Sequence, residues 1–173
     1  MARKLHIGGE KAHPEWEIFN IQAGEHVDHV GDAGDLSRFD ENTFDEIYAS
    51  HVLEHFDYQY GLVKTLKEWR RVLKPDGKLY ISVPDLEILS KLFLAKDQLE
   101  FKDRLLVMRM MFGGHMNRYD YHFTGFDSDI LGLYLGSAGF TQMTRVKELG
   151  IFKDASTVRV KDTPISLNVI VTK

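Results

Sequence analysis

The sequence predicts an α/β protein. It is built on a mostly parallel sheet, with an antiparallel pair at the C-terminal edge and a first crossover helix that is reduced or missing. Three observations lead there. Short apolar runs closed by Gly, Asp or Asn alternate with stretches at helical spacing. The last two apolar runs have no helical pattern between them, which suits antiparallel neighbours. Only residues 10–16 separate the first two runs, fewer than the roughly dozen residues a helical crossover needs.

Taken in order, residues 4–7 form the first strand and stop at Gly8-Gly9. Residues 17–21 form the second, ending near Gly24, and 27–30 the third, ending at Gly31-Asp32. The fourth, 44–49, follows Asp40-Glu41-Asn42 and precedes a polar cluster. None of the four alternates cleanly, so they read as strands buried on both faces. Leu62, Leu66, Trp69 and Leu73 recur at helical spacing and make one apolar stripe. That helix stops at Lys74-Pro75-Asp76-Gly77, because Pro75 disfavours helix at Lys74 and Gly77 suits a turn. A strand over 78–83 ends at Pro84-Asp85. From 86 to 111 the pattern is helical, and Met108, Met110, Met111 and Phe112 read as packing, including at a subunit interface. Gly113-Gly114 breaks it. Residues 127–137 are helical again, with Asp127 or Ser128 as N-cap and Gly139 closing. Strands over 141–147 and 165–171 complete the chain.

A length of 173 residues suits one domain, 1–173, and 43% hydrophobic residues are enough for a core. The formal net charge of −4, from 22 basic and 26 acidic residues, gives no general attraction to nucleic acid or to an anionic membrane. Arg70, Arg71 and Lys74 form a local basic group that reads as a solvated helix end. With no cysteine there are no disulfides, thiol nucleophiles or thiolate metal sites. No apolar run approaches the roughly 20 residues that span a bilayer. The first six residues carry no secretory pattern, so a cytoplasmic location is expected.

In open α/β sheets ligands bind beyond the C-terminal ends of the strands. The residues there are Gly8-Gly9-Glu10, Asn20 and Gln22, Asp32-Ala33-Gly34, Ser50-His51-Val52-Leu53-Glu54-His55, and Asp85. With Leu5-His6-Ile7 ahead of the first set, Phe44-Asp45-Glu46-Ile47-Tyr48-Ala49 ahead of the fourth, Glu68-Trp69-Arg70-Arg71-Val72-Leu73-Lys74-Pro75-Asp76-Gly77-Lys78-Leu79 and a closing Ala138-Gly139-Phe140, this ordered series resembles the class I S-adenosylmethionine-dependent methyltransferases. It is most similar to their small type 11 branch and to compact methyltransferases. The resemblance covers nearly the whole chain. It implies a Rossmann-like fold and an enzyme that moves a methyl group from S-adenosyl-L-methionine to a small-molecule or sugar-like acceptor.

The resemblance also implies site residues. Gly8, Gly9 and Glu10 lie against the cofactor, where glycine permits close backbone approach. Asn20 or Gln22 meets the ribose diol in place of the usual carboxylate; an amide both donates and accepts. Asp32 accepts from the adenine amino group, or simply caps a turn, and the N–H of Ala33 serves a ring nitrogen. Ser50, His51 and Val52 flank the methionine part and the methyl group. An oxygen or nitrogen acceptor must lose a proton, and Glu54, His55 and His122 are the candidate catalytic bases, with Tyr119, Asp120 and Tyr121 nearby. Residues 86–126 form a helical and loop insertion covering the acceptor side. Within it, 113–125 is a glycine-flanked loop suited to folding over a ligand.

Two departures matter. The short first loop leaves one wall of the cofactor pocket open, and Gln22 replaces an acid. Both are compatible with an alternative, a non-catalytic binding or scaffold domain of the same fold. The open wall and the apolar stretch 105–112 suggest a homodimer. Read literally, His51-Val52-Leu53-Glu54-His55 is also the H-x-x-E-H pattern of some zinc proteases. It follows a strand directly, and only Glu87 and Glu100 are available downstream as a third ligand, so that reading is set aside. The leading reading assigns no metal ligands; a cation on Glu54, His55 and His122 activating a hydroxyl acceptor is the metal alternative.

Overall fold

Three short strands lead the chain, β1 (Lys4–Ile7), β2 (Glu17–Asn20) and β3 (His29–Val30), and none is followed by a helix. The computed structural model describes residues 2–173. Then come β4 (Phe44–Ser50), a single 3-10 turn at Leu53–His55, α1 (Gly61–Val72), β5 (Leu73–Pro84), α2 (Leu86–Leu94), α3 (Phe101–Phe112) and α4 (Ser128–Ser137). The chain finishes with β6 (Gln142–Val146), a 3-10 turn at Ala155–Thr157, the small hairpin β7 (Arg159–Val160) and β8 (Thr163–Pro164), and β9 (Ser166–Thr172). The main sheet has the order β3-β2-β1-β4-β5-β9-β6. Strands β1 to β5 pair parallel with their neighbours, and β9 runs antiparallel to both β5 and β6. The antiparallel pair is therefore present, but β9 inserts beside β5 and only β6 is the edge.

The first crossover is the short loop foreseen. Residues 8–16 turn back through a bridge between His13 and Trp16, and the Trp16 ring is buried. Two local expectations change. The turn at Lys74-Pro75-Asp76-Gly77 belongs to β5, because Leu73 already pairs with Phe44, and the register slips between Phe44 and Glu46. The helical stretch over 86–111 is two helices, because the chain turns back between Leu94 and Phe101. Helices α2 and α3 then bury Leu89, Leu99 and Val107 against Val160 and Ile165, a small second core.

The sheet's two faces are covered differently. Alternate strand residues Leu5, Ile7, Phe19, Ile47, Leu79, Ile81 and Val169 meet Leu62, Leu66 and Trp69 of α1 and Leu131 and Leu135 of α4. The Trp69 Nε1–H donates to the Ala33 carbonyl at 2.8 Å, which ties this helix to the loop after β3. The other face presents His6, Ile18, Tyr48 and Tyr80, and among the described residues loops alone cover it: Trp16, Leu149 and Phe152 pack there. The Tyr48 hydroxyl donates to Asp154 at 2.8 Å across this layer. The basic group at the end of α1 is used internally. Arg71 pairs with Glu68 and donates to the carbonyls of Leu36 and Phe39, and Lys74 pairs with Asp45. Among the described residues, no helix is long and apolar enough to cross a membrane.

Candidate functional site

At the C-terminal ends of β1, β2 and β4 the backbone folds tightly. The Gly8 N–H donates to the Phe19 carbonyl at 2.8 Å, with Gly8 at φ +80°. A Cβ on Gly8 would lie 2.6 Å from the Val52 side chain, so strand β1 and the loop after β4 approach this closely only with glycine here. The Asn20 amide donates to the Gly9 carbonyl at 2.9 Å and accepts from the Gln22 N–H at 2.9 Å, fastening the two strand ends together. Asp32 accepts from the Gly34 N–H at 2.8 Å, so it does cap a turn.

These residues border a cavity of about 280 Å³. Of the sequence-derived candidates, Gly8, Asn20, Asp32, Ala33, His51, Val52 and His55 line it. Four others do not. Glu10 and Gln22 are exposed outside the cavity. Gly9 is buried beneath it, packed so closely on the His6 ring that a Cβ would be 2.7 Å away. The Ser50 hydroxyl is buried without a partner. Ser50 is two residues on from Tyr48 in β4, which sets it on the loop-covered face. Arg118 and Tyr119 of the glycine-flanked loop line it as well, and the residues that the sequence does not point to, Ile7, Phe19, Ile21, Phe56 and Phe123, complete the lining. Ile21 directly follows Asn20, where the second strand ends one residue earlier than its apolar run. Phe123 carried no local signal, since it arrives through tertiary contact.

That contact is specific. The Glu54 carbonyl accepts from the N–H groups of Phe123 (2.8 Å) and Thr124 (3.2 Å), and the Thr124 hydroxyl donates to the Phe56 carbonyl at 2.7 Å. The loop after α3 is thereby stitched to the turn after β4. Gly113, at φ +89°, makes the sharp exit from α3, and a Cβ there would meet the Asp120 carbonyl at 2.3 Å. Asp120 accepts from the N–H groups of Gly114 and Met116, so it closes the loop on itself. Tyr121 stacks on His115, with ring centroids 4.1 Å apart. Tyr119 borders the cavity and receives a hydrogen bond from its neighbour Arg118. Asp85 lies apart from both, buried as the N-cap of α2 and paired with Arg145 at 2.9 Å.

The stitching brings Glu54, His55 and His122 together. Glu54 is 1% exposed, and neither carboxylate oxygen has a hydrogen-bond partner. Burial pushes its carboxyl up to about 8. His51 Nδ1 lies 3.7 Å and His122 Nε2 4.0 Å from its Oε1. Burial holds both of these imidazoles down at about 4, with each histidine also disfavoured by its neighbouring imidazoles. His51 occupies a left-handed conformation, φ +54°, costly for a residue with a Cβ. Its Nε2 is 2.9 Å from the Ser166 hydroxyl. Beyond His51 lies a second cavity of about 320 Å³, bordered by Arg109, Met110, Asp120, His122, Val158 and Ile165. His51 borders both cavities and is the wall between them.

Comparison with known proteins follows the same lines. Residues 11–81 match the family described as methyltransferase domain. No curated protein matches the chain. Among solved structures, an S-adenosylmethionine-dependent methyltransferase of Thermotoga maritima is similar with a TM-score of 0.64 and 16% identity, over 100% of this chain and 82% of that one. The 1,6-didemethyltoxoflavin-N1-methyltransferase of Burkholderia thailandensis, with S-adenosylhomocysteine bound, gives 0.59 and 16% over 99% of this chain and 71% of that one. The CurJ carbon methyltransferase gives 0.60 and 18% over 99% of this chain, which spans 48% of it. At these identities the likeness speaks for the fold. Taken with the matched segment and the ordered strand-end motifs, it makes this chain similar in fold to the class I S-adenosylmethionine-dependent methyltransferases.

Proposed function

We propose that the chain transfers a methyl group from S-adenosylmethionine to a small-molecule or sugar-like acceptor. The observation that carries this reading is the pair of cavities divided by His51, the first at the strand ends where the fold family holds its cofactor. The first cavity fits the cofactor's chemistry. Ile21 and Phe123 offer exposed apolar surface to a flat adenine ring, and Asp32 offers an acceptor to its amino group. The Asn20 amide stands at the ribose position, though its donor and acceptor are already engaged with Gly9 and Gln22. S-adenosylmethionine, when bound, supplies an activated methyl group on sulfur.

The chain's residues do the rest. Val52 against Gly8 fixes the floor, and His51 orients toward both cavities. An acceptor entering the second cavity reaches His51 and His122. Their imidazoles are neutral at physiological pH and offer lone pairs to the acceptor's proton, while Glu54, pushed up to about 8, holds its own proton near neutrality and becomes a base only above that pH. Holding acceptor and methyl in line is the larger contribution.

A homodimer is the companion proposal. Phe101, Leu105 and Phe112 leave an exposed apolar stripe along α3, and a second copy would bury it. Sedimentation should then show dimer at micromolar concentration. The non-catalytic alternative draws on the engaged Asn20 amide and the exposed Gln22. Titration calorimetry with S-adenosylhomocysteine separates the two: saturable binding supports the enzyme, and no heat at millimolar ligand supports the scaffold.

A further inference from the structure

The buried group around Glu54 has a hydrogen-bonding problem that side chains alone do not solve. The His122 Nδ1–H donates to the Met110 carbonyl at 3.0 Å, and a carbonyl can only accept. In the neutral ring this leaves Nε2 as a bare acceptor, and Nε2 is the atom 4.0 Å from Glu54 Oε1. The His55 Nδ1–H likewise donates to the Tyr121 carbonyl at 3.0 Å, which leaves its Nε2 bare. The Ser166 hydroxyl donates to the Ala155 carbonyl, so its oxygen accepts from His51 Nε2–H. The His51 atom left without a proton is Nδ1, 3.7 Å from the same carboxylate oxygen. Three bare imidazole nitrogens therefore surround a buried carboxyl group, and the only donor that can stand among them is that group's single proton. At 3.7–4.0 Å they are too far apart for hydrogen bonds to one another. A single proton could satisfy one of them and leave the others orphaned.

We propose that Glu54, His55 and His122, with His51 beside them, bind a divalent first-row transition cation of the zinc type. Imidazole nitrogens and one carboxylate suit that class, and magnesium or calcium would ask for an all-oxygen set. One ligand atom from each of the three lies within 4.8 Å of the others. Metal bonds of about 2.0–2.2 Å require spacings near 3.4 Å, a contraction that small side-chain rotations supply. Backbone carbonyls hold the Nδ1–H groups of both histidines, the outer-shell support that metal-bound imidazoles normally have. His55 faces the first cavity and His122 the second, so a cation here sits in the wall between them with a position open to an oxygen ligand. If the methyl-transfer reading holds, that ligand is the acceptor's hydroxyl, and the cation lowers its pKa. The metal site itself does not depend on that reading.

Zinc chloride titrated into the chelator-treated full chain tests this by calorimetry. The expected result is one equivalent bound, weakened roughly tenfold or more in Glu54→Gln. That change keeps the side chain's volume and removes its charge. His55→Ala, at a partly exposed position, should give the same loss without disturbing the core. Thermal melts without metal confirm that each variant folds. Absence of zinc binding overturns the proposal. So does binding that both variants leave unchanged, which would assign the ion to surface histidines. S-adenosylhomocysteine binding, measured separately, tests the cofactor reading alone, so either proposal can fail without the other.

Discussion

The two faces of the sheet are built on different principles. One is covered by α1 and α4 and filled by aliphatic and phenylalanine side chains around Trp69. The other is covered by loops, and its layer is aromatic and polar: His6, Tyr48 and Trp16 under Phe152 and Asp154. The helical face gains its stability from apolar area and close packing. The loop-covered face depends on a few hydrogen bonds and on His6 staying neutral. Crossover helices are absent between β1 and β2 and between β2 and β3, and the chain compensates with Trp16 from the shortened turn and with residues 149–154 following β6.

Truncation gives the largest expected contrast. Trp69→Ala should cost about 3–5 kcal/mol, the scale for a fully buried aromatic whose space cannot collapse. Phe152→Ala, on the partly exposed loop layer, should cost less than half of that in the same urea titration. Equal losses would break the comparison.

Acid should act first on the loop-covered face. Burial holds His6 down at about 4, with Asp154 opposing that shift and His13 adding to it. The unfolded chain binds a proton near pH 6.5 that the folded chain refuses until about pH 4. Stability is therefore unaffected by His6 above pH 6.5 and falls as pH drops from 6.5 toward 4, by up to ~3 kcal/mol. In His6→Phe the melting temperature should fall less steeply over that window. An unchanged slope would mean that His6 takes up its proton without opening the layer.

Asp32 belongs to neither face, since it sits at the strand ends. Asp32→Ala should weaken S-adenosylhomocysteine binding by roughly 1.5–3 kcal/mol, the scale of a charged hydrogen bond. Calorimetry on the folded variant showing full affinity would remove Asp32 from the site. The smallest effect is expected for Tyr48→Phe, about 1 kcal/mol for the hydrogen bond to Asp154, with the packing retained. Chemical denaturation can resolve it, and a loss of several kcal/mol would show that Asp154 was left buried and unpaired.

Much of this was legible in the residues. Strand ends at Gly8, Asn20, Asp32 and Ser50 are marked by local chemistry, and so are the Asp127 cap and the Gly139 stop. The shortness of residues 8–16 excludes a helix by arithmetic alone. Glu54, His55 and His122 were selected for their chemistry, yet nothing in a linear pattern places residue 122 beside residue 54. That contact is made by two N–H groups donating to the Glu54 carbonyl, and backbone hydrogen bonds carry no side-chain signature. Glu10 and Gln22 illustrate the reverse case: each stands at a suitable sequence position, and an offset of two or three residues past the strand end turns it to solvent. Periodicity, turn residues and spacing act over a few residues, so the sequence by itself determined the order of elements, the parallel sheet and the missing first helix. Which side chains share a cavity, and that three histidines surround an unpaired buried carboxylate, depends on long-range docking of the loop after α3. Only the tertiary structure decided that.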